Sequence, residues 1–187
     1  LLATKLHVPV PRPGFVTRPR LTAQLDGGLG RTLILVSAPA RFGKTALLAD
    51  WSQRSRRSFA WVALDSGDND PVRLWRHVVA ALDRIRPGTA QRVEPLLGPP
   101  APSSFDGFVG ALINELESHP AEDDVLLVLD DYHQIDAPAV HRSLTYLLEH
   151  LPRRVHVVVS ARADPPLPLA RLRAAGQLAE FRANDLR

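Results

Sequence analysis

Three short stretches of this sequence are apolar at nearly every position, and they limit the folds that the chain can adopt. They are residues 32–37 (TLILVS), 125–129 (VLLVL) and 155–160 (VHVVVS). An almost uninterrupted apolar run of this length is typical of a strand that is buried on both faces, as the strands of parallel sheets are. The sequence therefore predicts a sheet that other elements cover on both sides.

Helical periodicity fills the intervals between these strands. Apolar residues recur every three or four positions in four segments that we predict to be helices: residues 44–56, 72–86, 105–117 and 139–150. Further strands are predicted at 59–64 and 177–182, with a short helix after the proline-rich turn ADPPLPLA. The Pro-rich stretch 98–104 is predicted to be a loop within the domain. Strands that alternate with helices indicate an α/β/α domain with a mostly parallel central sheet.

The first strand leads into the turn APARFGKT, which has the spacing of a phosphate-binding loop. Such a loop needs a small residue, four further residues and then Gly-Lys-Ser/Thr. Its backbone N–H groups bind phosphate at a helix N-terminus, its Lys bridges the β- and γ-phosphates, and its hydroxyl ligates Mg²⁺. The alternative is an ordinary strand–turn–helix unit. The predicted nucleotide-binding residues of the loop are Ala38, Pro39, Ala40, Arg41, Phe42, Gly43, Lys44, Thr45 and Ala46.

The other two apolar strands are followed by charged residues that would complement such a loop. After VLLVL, we predict that Asp130 holds Mg²⁺ through water and that Asp131 orients or deprotonates the attacking water. After VHVVVS, Arg162 would point toward the γ-phosphate if its strand lies beside the first one. The candidate catalytic residues are therefore Lys44, Asp131 and Arg162, and the candidate Mg²⁺ ligands are Thr45 and Asp130. The alternatives are an acidic turn and a surface arginine.

Composition excludes several other classes of protein and site. The chain has no Cys, which rules out disulfides and thiolate metal sites, and no apolar run reaches the roughly 18 residues of a membrane span. Its first residues lack the pattern of a signal peptide, so we expect a cytoplasmic protein without membrane contacts. His133, His141 and His156 have no metal-ligand spacing. The sequence RSRRS near residue 56 is interpreted as a solvated helix end.

Positive charge is concentrated around the predicted loop. The net charge is only +3, but the first 62 residues hold most of the cationic excess and the segment after them is acidic. The two interpretations are a mixed solvated surface and a cationic rim around a polyanion such as a nucleotide. Lysine occurs only as Lys5 and Lys44, and arginine fills the other cationic positions. A lysine at the loop is therefore more informative than it would be in a Lys-rich chain.

Five segments carry a resemblance that spans nearly the whole chain. They are LLATKLHVPVPRPGFVTRPRL, LVSAPARFGKTALLADW, AWVALDSGDNDPVRLWRHVVAAL, LVLDDYHQID and SARADPPLPLARLRAAGQLAEFRANDLR. Together they resemble the nucleotide-binding (NB-ARC/AAA-like) domain of the MalT-type STAND ATPases, which are signal-transduction ATPases of large bacterial LuxR-type transcription activators. The combination is much more specific than the loop alone.

The resemblance implies a P-loop NTPase fold of the ASCE/STAND type, in which the Arg162 strand lies between the loop strand and the Asp130 strand. It also implies that residues 16–21 (VTRPRL) pack near the adenine, with Arg18 and Arg20 as further nucleotide-binding residues. The implied ligands are ATP, ADP and Mg²⁺.

The resemblance also implies a switching mechanism. ADP holds a closed resting form, an inducer with ATP favours an open form that self-associates and drives output, and slow hydrolysis resets the switch. The chain would comprise an N-terminal segment, residues 1–30, and an NTPase core, residues 31–187, of a longer protein. Winged-helix, sensor and DNA-binding or kinase output domains are expected downstream, so this piece is not expected to bind nucleic acid specifically.

The sequence departs from the family at one loop position. Family loops usually read APAGYGKT, whereas this one reads APARFGKT, so Arg41 replaces a glycine. Arg41 would either strain the loop and crowd the phosphates or point outward and add a cation. Two functions stay open: a regulatory switch that hydrolyses ATP slowly, and a module that binds nucleotide without hydrolysis, attached to a transcription activator or a protein kinase. No acceptor pocket or lid signature favours a small-molecule kinase.

Overall fold

The computed structural model describes residues 1–119 and 123–187. The strands are β1 (Leu33–Ser37), β2 (Ser58–Ala63), β3 (Val125–Asp130), β4 (Val155–Ala161) and β5 (Leu178–Arg182). The helices are α1 (Pro19–Gly27), α2 (Lys44–Arg54), α3 (Pro71–Ile85), α4 (Thr89–Val93), α5 (Asp106–Ser118), α6 (Pro138–His150) and α7 (Leu169–Ala174). None of the described helices has the length and apolar character that a membrane crossing requires.

The five described strands form one parallel sheet in the order β2-β3-β4-β1-β5. Strand β4 pairs with β1 on one side and with β3 on the other. Ser37 at the end of β1 lies opposite Ala161 at the end of β4. The expected position of the Arg162 strand between the loop strand and the Asp130 strand is thus confirmed. Since all the strands run the same way, their carboxyl ends meet at one edge, where ligands bind in open α/β sheets.

Two hydrophobic cores, one on each face of the sheet, give the three layers. Alternate residues of a strand point to opposite faces. Leu33 and Leu35 of β1 join the core under α3, α5 and α6, whereas Ile34 and Val36 join the core under α1 and α2. This alternation explains why β1 is apolar at successive positions, and it confirms the predicted α/β/α arrangement around a parallel sheet.

The predicted helices and strands are present, with ends that shift by one or two residues. For example, α2 ends at Arg54 because Ser55 is already extended and its N–H closes the last turn on the carbonyl of Trp51. Residues 98–104 form a loop, as predicted. Helices α1 and α4 are additions to the prediction. In α1 only Leu21, Thr22 and Leu25 are buried, so its apolar periodicity is too short to stand out in the sequence.

A buried ion pair fastens the start of the chain to the 3-10 turn Ser66–Asn69, which precedes α3. Lys5, which is 7% exposed, donates a hydrogen bond from Nζ to the fully buried Asp68 and lies 3.0 Å from Oδ2 of Asp65. The carboxylate of Asp68 also accepts the backbone N–H of Asp65 at 2.9 Å. A buried carboxylate that loses its cation is strongly unfavourable. Lys5 therefore fixes the point from which the N-terminal segment crosses the domain.

We expect Lys5→Met to lower the free energy of unfolding by about 3 kcal/mol, because the buried Asp68 then loses its nearest cation and keeps only Arg73, at 3.9 Å. Urea unfolding at pH 7 measures this change. The double variant Lys5→Met/Asp68→Asn should recover part of the loss, since it removes the uncompensated charge. Wild-type stability of Lys5→Met would show that the ion pair does not stabilise this segment.

Candidate functional site

The loop between β1 and α2 has the backbone of an anion-binding turn. The N–H of Ala38 donates to the carbonyl of Ala161 at 3.1 Å, which fastens the start of the loop to β4. Gly43 has a φ of 75°, a left-handed conformation that glycine adopts at little cost, and α2 begins directly after it at Lys44. No described side chain caps α2 at this end. The N–H groups of its first turn are therefore available to an anion.

Lys44 is buried at the foot of the loop, with 7% of its surface exposed. Its Nζ donates to the carbonyl oxygens of Ala38 at 2.6 Å and Pro39 at 2.9 Å. Burial lowers the pKa of this ammonium group, while the carboxylate of Asp131 opposes that effect and the cation of Arg162 adds to it. A phosphate beside Nζ would favour the charged form of Lys44.

A hydrogen-bonded network joins α2, β3 and β4. The hydroxyl of Thr45 donates to Asp130 and lies 2.8 Å from Oδ2 and 3.1 Å from Oδ1. The hydroxyl of Ser160 donates to Oδ1 of Asp130 at 2.5 Å and accepts the backbone N–H of Asp131 at 2.9 Å. The network thus places the Thr45 hydroxyl against the Asp130 carboxylate and fixes the backbone of Asp131.

The carboxylate of Asp130 is in an environment that favours its neutral form. Asp130 is 3% exposed, and this burial raises the pKa of its carboxyl group. Hydrogen bonds from Ser160 and Thr45 lower the pKa, whereas the charge of Asp131 raises it. A divalent cation beside Asp130 would stabilise the ionised form. Because hydroxyl and carboxylate oxygens are ligands that Mg²⁺ accepts, the residues present fit a Mg²⁺ ion.

Asp131, Arg162 and His133 bring charge and polarity to the same edge of the sheet. Asp131 has a φ of 62°, and it lines the same cavity as Arg162, Lys44 and Thr45. Burial lowers the pKa of His133, against the effect of the Asp131 charge. The Nδ1 atom of His133 is buried without a hydrogen-bond partner among the residues that the structure describes. The cavity lining therefore combines four cationic side chains, those of Arg12, Arg41, Lys44 and Arg162, with the carboxylate of Asp131, and His133 lies outside this lining.

The cavity at this edge has a volume of about 600 Å³, and the N-terminal segment forms one of its walls. Residues 9–15 line it together with the phosphate-binding loop and the first turn of α2. Small-molecule sites typically enclose roughly 300–1,000 Å³. The cavity is therefore large enough for a nucleotide whose phosphates lie at the loop.

Arg41 lies at the rim of this cavity and has a strained backbone. Its φ is 69°, in the left-handed region that residues with a Cβ adopt only at a cost. The residue is exposed and also lines the cavity. Arg41 thus has a left-handed backbone and an exposed cationic side chain, and whether it crowds bound phosphates stays a prediction.

Three more of the predicted loop residues, Ala40, Gly43 and Ala46, also line the cavity, whereas two others have structural positions. Pro39 presents its carbonyl to Lys44, and Phe42 packs against the core under α1 and α2.

Arg18 and Arg20 bind the backbone of the last residues of the chain. Arg18 donates to the carbonyl of Leu186 at 2.8 Å, and its Nη2 lies 3.7 Å from the position that a Cβ on Gly43 would occupy. Arg20 donates to the carbonyl of Asp185 at 3.2 Å. Arg18 therefore lies next to the loop, but the structure brings neither Arg18 nor Arg20 into the cavity lining.

Sequence reasoning missed three contributors to the site. The signal for Ser160 is a hydroxyl at the end of an apolar run, because a hydroxyl that is buried there needs a hydrogen-bond partner. Residues 9–15 give a signal in their proline-rich sequence PVPRPGF, but nothing local shows which surface they cover. His133 gives no signal of its own, because its position beside Asp131 and Arg162 depends on the pairing of β3 with β4.

Comparison with known proteins identifies relatives along the whole chain, although no protein-family model matches it. The chain is 33% identical over 186 residues to the HTH-type transcriptional regulator MalT of Cronobacter sakazakii, covering 100% of this chain and 20% of that protein. It is 32% identical over 188 residues to the serine/threonine-protein kinase PknK of Mycobacterium tuberculosis, covering 99% of this chain and 17% of that protein. The chain thus spans about a fifth of the length of these curated relatives.

Solved structures share the fold at low sequence identity. A chain in the structure of Drosophila ORC bound to AT-rich DNA and Cdc6 has a TM-score of 0.52 and 12% identity, with 88% of this chain and 52% of that chain covered. A chain in the structure of Drosophila ORC bound to DNA has a TM-score of 0.51 and 13% identity, with 88% and 86% covered. At sequence identities this low, the similarity to these structures establishes only a shared fold.

The backbone strain at Arg41 can be measured with a pair of variants that both remove the guanidinium. We expect Arg41→Gly to be more stable than Arg41→Ala by about 1 kcal/mol, because only glycine adopts the left-handed conformation without strain. Urea unfolding of the nucleotide-free protein measures the difference. At Ala40, whose φ is not positive, Ala40→Gly should instead lose about 0.5–1 kcal/mol. A lower stability for Arg41→Gly than for Arg41→Ala would contradict the strain.

The buried carboxyl of Asp130 should make stability depend on pH. Its folded-state pKa is raised above the ordinary value of 3.8, so its contribution to stability falls as the pH rises from that value through the folded-state pKa. We therefore expect Asp130→Asn to match the wild type below pH 4 and to become the more stable protein as the pH rises toward 7. Chemical unfolding across this range measures the difference, and a difference that does not change with pH would contradict the expectation.

Proposed function

This chain belongs to the NB-ARC/AAA-like nucleotide-binding domains of MalT-type proteins, and on that premise we propose that it is an ATP/ADP switch that hydrolyses ATP slowly with Mg²⁺. Its relatives and its fold make it a regulatory nucleotide-binding module. The observation that carries the proposal is the convergence of Lys44, Thr45, Asp131 and Arg162 on one cavity at the carboxyl edge of the sheet. Asp130 lies directly behind Thr45.

The phosphates would bind to the N–H groups at the start of α2 and to Lys44. The ammonium of Lys44 donates to two loop carbonyls, which are neutral acceptors. A bound phosphate would be a charged acceptor and would compete with them for these hydrogen bonds. Hydrogen bonds between ionised groups are about twice as strong as neutral ones. This difference favours transfer of the Lys44 hydrogen bonds to the nucleotide.

Thr45 and Asp130 would hold Mg²⁺. The bound ion would neutralise negative charge on the phosphates. In this proposal Asp131 orients the attacking water and accepts its proton, because its carboxylate lies in the cavity and its backbone is fixed by Ser160. A positioned carboxylate that acts as a general base typically contributes about 10²–10⁴-fold in rate.

Arg162 would sense the γ-phosphate. It follows β4, the strand between the loop strand and the Asp130 strand, so its guanidinium reaches the cavity from the middle of the sheet. ATP can shift the domain between two forms only through contacts that differ between them. A cation beside the γ-phosphate supplies such a contact, since ADP lacks that group.

The N-terminal segment, residues 1–30, would bind the base and complete the site of the NTPase core, residues 31–187. The wall formed by residues 9–15 supports this placement, and Arg18 lies beside the loop. We propose further domains in the parent protein, with transcription activation or protein phosphorylation as the output. The names of its relatives support both outputs at similar identity.

We expect Lys44→Ala to weaken binding of ATP and ADP by at least about tenfold, because it removes a charged hydrogen-bond donor. Isothermal titration with each nucleotide, with and without Mg²⁺, measures the affinity. The control is Arg142→Ala, which removes an exposed cation of α6 outside the cavity lining. Equal affinity of Lys44→Ala and wild type would overturn the nucleotide site.

A phosphate-release assay separates the switch from a module that only binds nucleotide. We expect slow turnover by the wild type and a loss of about 10²-fold in Asp131→Asn, which keeps the shape of the side chain but removes the base. If both proteins bind ATP and release phosphate at the same background rate, the non-hydrolysing module is the correct function.

A further inference from the structure

A second large cavity lies at the opposite edge of the sheet from the candidate nucleotide site. It has a volume of about 1130 Å³, and it is bordered by residues immediately before β1, β2, β3 and β4. We call it the arginine basin after the six arginines that line it, which are Arg31, Arg54, Arg56, Arg57, Arg153 and Arg154. Its arginines come from three separate parts of the sequence, so only the folded sheet brings them together.

The carboxylates of the arginine basin balance only part of this charge. Arg57 lies 3.3 Å from Asp26 and 3.9 Å from Asp124, and Arg54 binds Asp50 on its own helix at 2.9 Å. By contrast, Arg56 and Arg153 are exposed and make no hydrogen bond or ion pair with any residue that the structure describes. These two guanidinium groups are therefore available to a ligand.

His156 adds an unsatisfied polar atom to the wall of the basin. It is 3% exposed, and its Nδ1 donates to the carbonyl of Arg31 at 2.6 Å. Its Nε2 lies 3.6 Å from Oδ1 of Asp124 and has no hydrogen-bond partner among the residues described. Because Nδ1 carries the proton of the neutral ring, Nε2 is an acceptor, and a water molecule or a protonated phosphate oxygen would satisfy it.

We propose that the arginine basin binds a small anion that carries two or more phosphate groups and is similar in size to a nucleotide. The guanidinium group matches phosphate with two parallel N–H donors, and two such groups without partners flank a concave site that is large enough to admit an anion of this size. Apart from His156, the lining in the described chain contains no aromatic ring. The ligand is therefore recognised by its phosphates, whereas single-stranded nucleic acid typically needs stacking side chains as well.

The probe for this site is inorganic tripolyphosphate, titrated calorimetrically without Mg²⁺ at 150 mM salt into the 187-residue chain. Because the phosphate-binding loop could also take this probe, every basin variant is made in the Lys44→Ala background. The test variant adds Arg56→Gln and Arg153→Gln. The matched control adds Arg76→Gln and Arg142→Gln, which remove the same charge from exposed positions outside the basin.

We expect Lys44→Ala to retain one equivalent of bound tripolyphosphate. The basin variant should bind it at least tenfold more weakly, and the control should bind it as Lys44→Ala does. Circular dichroism and the unfolding midpoint check that the variants fold.

Absence of binding in Lys44→Ala, or equal weakening in the basin variant and the control, would overturn the proposal. Binding of a 12-mer DNA duplex that depends on Arg56 and Arg153, without tripolyphosphate binding, would assign the basin to nucleic acid instead. None of these outcomes depends on whether the loop binds ATP.

Discussion

The hydrogen bonds around the carboxylate of Asp130 hold together the elements on which the candidate site depends. Thr45 reaches Asp130 from α2 and Ser160 reaches it from β4, although these residues are 85 and 30 positions away in the chain. Burial of a carboxylate is costly unless donors surround it. The Asp130 network therefore links α2, β3 and β4, and the strand order that places β4 between β1 and β3 also places Arg162 at the cavity.

Features that depend on residues close together in the sequence are predictable from it, whereas contacts between distant residues are not. Local sequence determines the strands, the helix after the loop and the Gly43-Lys44-Thr45 turn. The structure has these elements at the predicted positions. The pairing of Lys5 with Asp68 has no such signal, because the two residues are 63 positions apart and meet only through packing. The position of the wall of residues 9–15 likewise has no local signal, because these residues meet the loop only in the folded domain.

Arg41 illustrates a conflict between local preference and the rest of the fold. The loop needs a left-handed residue there, and the backbone adopts that conformation although the side chain opposes it. A conflict of this kind persists only where the surrounding structure determines the conformation, and it occurs most often at functional sites. The fixed ends of the loop supply that constraint: Ala38 is bonded to β4, and Lys44 begins α2 and bonds back to Ala38.

The nucleotide edge and the arginine basin are separated by the length of the parallel strands, which is about 20 Å for six residues. Helix α2 spans this distance, because Lys44 at its first residue belongs to the cavity and Arg54 at its last residue lines the basin. A displacement of α2 toward bound phosphates would therefore move a side chain of the basin. If ligands at the two ends prefer different positions of α2, each must change the affinity of the other by the same factor. The strength of that coupling is set by how differently each ligand contacts the two positions, and not by the distance between the sites.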